Sequence, residues 1–212
     1  MLHWFKKTET SGTPEILGLK PGFSFEVDSL LLRLLAKELT AQNIASTQLI
    51  QAAGIVEMDD TFLFRYYTDD DAWLQVVTQG GRSDQHVIDV KLFHYYDTLN
   101  IATEQRWNRL LSEEIGQQKY YLEQQCFQRV WTDIDDYHPP VAMTETTWDQ
   151  QLQQSSTDQF AMLFERSLAH QGMTESLFLA AEEHREKSGH LSRCLVISTG
   201  ITLTPSQLTI YG

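Results

Sequence analysis

The residues of this chain that are best suited to chemistry by type and spacing lie in an acidic segment near position 135. Three carboxylates and one imidazole fall within six positions, at Asp133, Asp135, Asp136 and His138. Oxygen-rich clusters of this kind bind hard cations such as Ca²⁺ or Mg²⁺. The segment lacks the glycine and the distal glutamate of an EF-hand loop, so a solvated acidic loop is the favoured interpretation and a cation site the alternative.

A second group of candidates consists of arginines that stand inside apolar, strand-like runs. Arg65 precedes an aromatic pair, and Arg129 lies two positions before a tryptophan. An arginine in such a run either pairs with a buried acid, such as Glu145 or Glu165, or stacks on a ring and captures a ligand. Structural pairing is favoured. The candidate residues for binding a ligand or partner are Arg65, Tyr66, Trp73, Arg129, Trp131 and Glu145.

The first seven residues carry apolar and basic side chains side by side: Leu2, Trp4, Phe5, Lys6 and Lys7. A tryptophan with adjacent lysines suits a membrane interface, so weak peripheral membrane contact is one interpretation. Seven residues anchor weakly, however, and an acidic body opposes approach to anionic lipid. We therefore favour a flexible leader and linker over residues 1–14.

Motifs of known enzymes and cofactor sites are missing from the sequence. It contains no G-x-S-x-G elbow, no Walker loop and no Rossmann glycine pattern. Gly80 and Gly81 follow a strand-like run but open no helix, so their amides are not placed to bind phosphate in the usual way. We expect no catalytic residue and no cofactor, and we favour a non-enzymatic protein. An enzyme or small-ligand binder stays the alternative.

Composition limits the class of protein further. Of the 212 residues, 42% are hydrophobic, which is ample for a packed core. Sixteen basic residues against twenty-nine acidic ones give a formal charge of −13, which repels nucleic acid. Cys126 and Cys194 lack metal or redox spacing, and we expect buried free thiols in a reducing compartment. No secretory signal or membrane-spanning run is present, so we expect a cytoplasmic protein.

The elements that must position these residues are mainly strands. Aromatic and β-branched runs at 61–67, 72–77 and 86–96 are separated by Asp-rich and Gly-rich turns, which is typical of antiparallel hairpins. Leucines at helical spacing predict a helix over Asp28–Leu39, with Asp28 as its N-cap. A second apolar stripe predicts a helix over Thr103–Ile115, with Thr103 as its N-cap.

These elements predict a single α+β domain over residues 15–212, made predominantly of antiparallel sheet with two main helices. Two similar meander sheets are one version of this fold. Leu63-Phe64-Arg65 resembles Leu163-Phe164-Glu165, so one interpretation is a duplication with pseudo-repeated halves at about 15–116 and 117–212. The favoured interpretation is that antiparallel strands resemble one another because one periodicity serves them all.

The order of several short motifs resembles the YjfK-like bacterial family, a domain of unknown function (DUF2491). The motifs include Phe64-Arg65-Tyr66-Tyr67, Trp73-Leu74-Gln75-Val76, Gln128-Arg129-Val130-Trp131 and Met162-Leu163-Phe164-Glu165-Arg166. The resemblance runs from about Ile16 to the end of the chain. No single motif is diagnostic, but their order is.

The resemblance implies little chemistry, because the family has no established activity and therefore no catalytic residues to transfer. It implies a bacterial protein, and genes near some members imply an association with envelope stress or membrane maintenance. Our leading functional prediction is a protein-interaction module that presents sheet faces or edges to a protein partner or to a second copy. The alternative is a ligand-binding protein or enzyme with a pocket between two half-sheets.

Overall fold

Antiparallel strands dominate the computed structural model, which describes residues 12–131, 136–170, 172–185 and 191–212. Strands make up 58% of the structure and helices 13%. The strands are β1 (Ser24–Val27), β2 (Thr47–Met58), β3 (Thr61–Thr68), β4 (Ala72–Gln79), β5 (Val87–Asn100), β6 (Lys119–Leu122), β7 (Gln125–Arg129), β8 (Val141–Asp149), β9 (Gln154–Ser167), β10 (Thr174–Arg185), β11 (Leu191–Thr202) and β12 (Leu208–Tyr211). The helices are α1 (Ser29–Leu35) and α2 (Glu104–Arg109), with a π-helical turn at Leu110–Glu114 and 3₁₀ turns at Asp84–His86 and Pro205–Gln207.

Eight of the strands form a closed barrel. Their order around it is β2-β3-β4-β5-β11-β10-β9-β8, and β8 pairs back with β2. Every neighbouring pair is antiparallel. Because successive side chains of a strand point to opposite faces, one set fills the interior of the barrel and the other covers its outside.

The predicted α+β fold class is therefore wrong. Each half of the chain does contribute four consecutive barrel strands, but β5 pairs with β11 and β2 pairs with β8, so no separate sheets remain. The alternation of apolar and polar residues predicts the strands and their buried faces. It does not predict whether the edge strands of two sheets pair with each other. Closure pairs backbone groups that two open sheets would leave at their edges. The single domain over 15–212 and the duplication of its halves stay predictions.

The two helices begin where the sequence predicts but are short. The Asp28 carboxylate accepts a hydrogen bond from the Leu30 amide at 2.8 Å, and the Thr103 hydroxyl accepts one from the Arg106 amide at 3.2 Å. They pack on the outside of the barrel instead of forming a layer of their own. Among the described residues, no helix is both long and apolar enough to cross a membrane. The cytoplasmic location stays a prediction.

Three hydrophobic clusters hold the molecule together. One fills the barrel and includes Trp73, Phe93 and Phe178. A second lies under β1, α1 and the segment around Leu19, and a third lies under α2 and β7. The interior of the barrel is thus a packed core, like the cores on its outside.

Two strands, β7 and β8, pair with the same edge of β9 at different points along it. β7 pairs with β9 at Arg129↔Phe164, and β8 pairs with the same side of β9 from Val141↔Ala161 onward. Between these two strands, residues 131 and 136–140 belong to no strand. Tyr137 forms a bridge with Gln117, which follows the π-helical turn. The ladder between β2 and β8 covers only Ala52–Val56 of β2.

Candidate functional site

The most unusual feature of the barrel interior is a buried ion pair. β3 places Arg65 and β8 places Glu145, and the distance from Arg65 Nη1 to Glu145 Oε2 is 2.7 Å. Both side chains are 2% exposed. The pairing that the sequence favoured for Arg65 is confirmed.

Gly54 makes the room for this ion pair. It lies on β2 between the two charged residues, paired with Arg65 on one side and with Thr147 on the other. A Cβ atom at this position would lie 1.9 Å from Glu145 Oε1. A larger residue would therefore displace the carboxylate.

Hydrogen bonds satisfy the Glu145 carboxylate on both oxygens. The Tyr67 hydroxyl donates to Oε1 at 2.6 Å, and the Gln159 amide donates to Oε2 at 3.2 Å. Gln159 also accepts from Arg65 Nη1 at 2.7 Å, and Gln75 accepts from Arg65 Nε at 3.2 Å. We call Arg65, Tyr67, Gln75, Glu145 and Gln159 the charge cluster.

Aromatic rings enclose the guanidinium of the charge cluster. Its central carbon lies 5.0 Å from the centre of the Trp73 ring and 5.4 Å from that of Phe178. Trp131 packs edge-on against Phe178 at 6.1 Å. The structure thus brings together four of the predicted binding residues, Arg65, Trp73, Trp131 and Glu145.

A second carboxylate extends the charge cluster. The Gln159 amide donates to Glu182 Oε1 at 2.9 Å as well as to Glu145. Burial, and then the neighbouring Glu145 charge, raise the pKa of Glu182. Burial also raises the pKa of Tyr67. Two carboxylates, Glu145 and Glu182, are thus joined by the Gln159 amide, and Glu145 carries the contact with the Arg65 guanidinium.

The remaining predicted binding residues lie elsewhere. Tyr66 faces the outside of the barrel, where its hydroxyl accepts from the Ile16 amide at 3.0 Å and donates to the Pro14 carbonyl. Arg129 is buried on β7 and donates to the Gly116 carbonyl. Both fasten outer segments to the barrel wall.

The acidic segment shows no cation site in the part that the structure describes. Asp136 accepts from Gln118 at 3.0 Å, while His138 contacts the Pro139 carbonyl. Asp133 and Asp135 lie outside the described residues. Among the residues that are described, no group of three His, Cys, Asp or Glu side chains is arranged to hold a metal ion. The leader, with Leu2, Trp4, Phe5, Lys6 and Lys7, also lies outside the described residues.

A cleft opens in the barrel wall next to the charge cluster. β2 and β8 pair from Ala52↔Asp149 to Val56↔Glu145, and beyond this ladder the two strands separate. The cleft lies between Glu57–Met58 on β2 and Ala142–Thr144 on β8, and its volume is about 530 Å³. Met143 and Gln159 line it and also contact Arg65.

A second exposed feature is the end of β5. β4 pairs with β5 only as far as Ala72↔His94, whereas β11 stays paired with it as far as Asn100. The segment Tyr95–Asn100 therefore extends past β4, and all six of its residues are exposed. Among the described residues, no strand pairs with its other edge. We call Tyr95–Asn100 the β5 overhang.

Sequence reasoning did not find the cleft or the β5 overhang. The polar residues of 148–158 carry no clear strand pattern, although Trp148 and Asp149 end β8 and Gln154 begins β9. Gln159 lies just past that stretch, so its place in the interior was missed. For the β5 overhang, the unequal lengths of the runs at 72–77 and 86–96 were an available signal.

Comparison with known proteins places the chain in a family. Residues 1–209 match the family described as "Protein of unknown function (DUF2491)". The chain is 26% identical to "Uncharacterized protein YjfK" of Escherichia coli (strain K12) over 199 residues, covering 92% of this chain and 90% of the relative. No solved structure matches the chain. The chain belongs to the DUF2491 family.

Proposed function

We propose that the protein is a non-enzymatic interaction module that binds an extended segment of a partner protein along the β5 overhang. The observation that carries the proposal is the edge of this segment beyond Tyr95, whose own amide donates to the Asp71 carbonyl at 2.9 Å. Among the described residues, no strand pairs with that edge. An exposed strand edge is a row of unpaired amide and carbonyl groups, onto which another chain can add as a further strand. The charge cluster is buried, and its charged groups are hydrogen-bonded to one another, which supports a structural role for the interior.

The direction of the backbone groups follows from the ladder with β11. The Ile101 amide donates to the Arg193 carbonyl at 2.9 Å. Because N–H and C=O groups alternate between the two edges of a strand, Leu99 also faces β11, and Thr98 and Asn100 face the free edge. The Thr98 amide is partly occupied, since the Asp97 carboxylate accepts from it at 2.8 Å. Asn100 is the clearest docking position.

The side chains of the β5 overhang favour an apolar contact beside the backbone pairing. Tyr95 is 42% exposed, Tyr96 is 40% exposed and Leu99 is 42% exposed. Tyrosine is enriched in protein interfaces because its ring offers a large contact area with a polar tip. Tyr95 lies toward Glu145 and Glu182, whereas Tyr96 lies toward Glu123, so the apolar surface that a bound segment can cover is divided between the two faces of the strand.

The negative charge on and near the β5 overhang favours a partner segment that carries basic residues. Asp97 lies in the overhang, and Tyr96 donates to Glu123 at 2.9 Å, which adds a second carboxylate nearby. The chain as a whole carries −13. Pairing of two copies through this edge would bring the two Asp97 side chains close together, and like charges across a ladder are unfavourable. We therefore infer a different protein with basic residues in an extended segment.

Backbone NMR with defined peptides tests the proposal. The probe is a peptide that alternates lysine and valine, and the control peptides replace lysine with glutamate or alternate valines with proline. We expect the basic peptide to shift the amide signals of Thr98 and Asn100 and to slow their hydrogen exchange. The glutamate and proline peptides should bind at least about tenfold more weakly, because they lose the charge attraction or the donors.

Variants of the β5 overhang complete the test. Asn100→Pro removes an outward donor, and Asp97→Lys reverses the local charge, so each should weaken binding of the basic peptide. Ile88→Lys is the matched control, because Ile88 is 61% exposed on the same strand but lies outside the overhang. Equal binding of the glutamate peptide, or equal binding by Asp97→Lys, would refute the proposal. The association with envelope stress or membrane maintenance that the family implies stays a prediction.

A further inference from the structure

We propose that the cleft between β2 and β8 is a binding site for a small organic cation with an apolar body. Its volume of about 530 Å³ suits a ligand of that size. It lies in the wall of the barrel, apart from the β5 overhang, and it does not depend on the proposed function. Its chemistry follows from its floor, its rim and the charges behind it.

The floor of the cleft is apolar. Ile55, Met58, Met143 and Phe160 line it. Methionine side chains adapt to irregular ligands, and the face of an aromatic ring attracts a cation. Such a floor favours a ligand with hydrocarbon surface next to its charge.

The rim of the cleft is acidic. Glu57, Asp158 and Glu183 line it, and none of its lining residues is a lysine or an arginine. Arg82 pairs with Glu57 at 2.7 Å, and Arg193 pairs with Glu183, so two rim carboxylates have basic partners outside the lining. Asp158 instead accepts from the Thr144 hydroxyl at 2.7 Å. Asp158 is therefore the rim carboxylate with the most charge left for a ligand.

The charges behind the floor are mixed, with two carboxylates beside one guanidinium. Glu145 and Glu182 both accept from Gln159, a lining residue, and Arg65 pairs with Glu145. This arrangement leaves an excess of one carboxylate when both acids are ionised. A cation in the cleft is attracted by the rim and by this excess, and an anion is repelled by both.

Methionine methyl NMR reports directly on the cleft. The chain has five methionines, of which Met58 and Met143 line the cleft. Met162 and Met173 lie in or against the outer clusters and serve as internal controls. The probes are phenethylammonium, its neutral analogue 2-phenylethanol and the anion phenylacetate.

We expect phenethylammonium to shift the Met58 and Met143 signals and to leave Met162 and Met173 unchanged. It should bind about tenfold more tightly than 2-phenylethanol, and added salt should reduce that difference. Asp158→Asn should weaken binding about threefold to tenfold. Glu113→Gln makes the same charge change on the π-helical turn, none of whose residues line the cleft, and should leave the affinity unaltered.

Several results would overturn this inference. Equal affinity for the ammonium and the alcohol would show an apolar cavity without charge selection, and no shift at millimolar probe would show no site. A Lys-Leu-Lys-Leu peptide that binds Met143 more tightly than phenethylammonium would reassign the cleft to side chains of a protein. Overlay of the ligand-free spectra establishes that the Asp158→Asn variant is folded.

Discussion

The Arg65 guanidinium and the Glu145 carboxylate are 80 residues apart in the chain, yet they meet at 2.7 Å inside the barrel. Their strands, β3 and β8, are not neighbours. β2 lies between them, and its glycine leaves the space through which the carboxylate reaches Arg65. The ion pair therefore depends on closure of the barrel.

Removing one partner of this pair should be strongly destabilising. Glu145→Ala leaves the Arg65 charge buried without its counter-ion, and we expect a loss of about 3–5 kcal/mol in the free energy of unfolding. Urea denaturation measures it. Glu57→Ala is the matched control, because the Arg82–Glu57 pair has the same 2.7 Å distance but is about half exposed. Its loss should stay below about 1 kcal/mol. Similar losses for the two variants would contradict a desolvated pair.

Gly54→Ala should destabilise the barrel through the same pair. The new Cβ would lie 1.9 Å from Glu145 Oε1, so the carboxylate must move away from Arg65 and Tyr67. We expect a loss of about 1–3 kcal/mol, typical of overpacking. Glu145→Asp, which is shorter, should reduce the effect of Gly54→Ala when the two changes are combined. A full, additive loss in the double variant would show that the clash lies elsewhere.

Tyr67 and Tyr66 are adjacent but face opposite sides of the wall, which allows a paired test. Tyr67→Phe removes a 2.6 Å hydrogen bond to the buried carboxylate, and we expect a loss of about 1.5–3 kcal/mol. Tyr66→Phe removes neutral contacts with Ile16 and Pro14, with an expected loss of about 0.5–1.5 kcal/mol. Thermal and urea unfolding measure both. The reverse order of the two losses would argue against a strong hydrogen bond between the Tyr67 hydroxyl and the buried Glu145 side chain.

The free energy of unfolding should depend on pH in part through the ionisation of Glu182. Burial and the Glu145 charge raise its pKa in the folded protein, so the native state favours the protonated acid. The contribution of protonated Glu182 to the free energy of unfolding is fully present below the ordinary glutamate pKa. It is lost as pH rises through the raised pKa. Glu182→Gln keeps an acceptor for Gln159 and removes the charge. From about pH 4 to about pH 8, the variant should gain stability relative to the wild type. The exposed-site control Glu113→Gln should show no such trend, and a relative loss by Glu182→Gln would refute the assignment.

The sequence predicted individual strands well because each strand carries its own alternation and turn residues. It also predicted the caps Asp28 and Thr103, since a cap is a local hydrogen bond. It did not predict barrel closure, which depends on β5 meeting β11 and β2 meeting β8. Those contacts join residues far apart in the chain, and no local pattern encodes them.

The candidate sites were predictable only in part. An arginine inside an apolar run needs a counter-charge, and this argument named Glu145 and Glu165 as candidate acids without assigning either of them to Arg65. The glutamine that joins Glu145 to Glu182 carried no such signal, because glutamine is common on surfaces. The cleft and the β5 overhang result from where ladders stop, at Val56↔Glu145 and Ala72↔His94. The point at which two strands stop pairing depends on the three-dimensional fold, so the local sequence does not predict it.

Amide hydrogen exchange along β5 in the free protein tests the central claim most directly. If the edge of the β5 overhang is open, Leu99 and Ile101 should exchange slowly because their amides bind β11, and Asn100 should exchange rapidly. Adding the lysine–valine peptide should slow Asn100 selectively. Protection of Asn100 equal to that of Leu99 without any peptide would show that the edge is already covered, and would contradict the account.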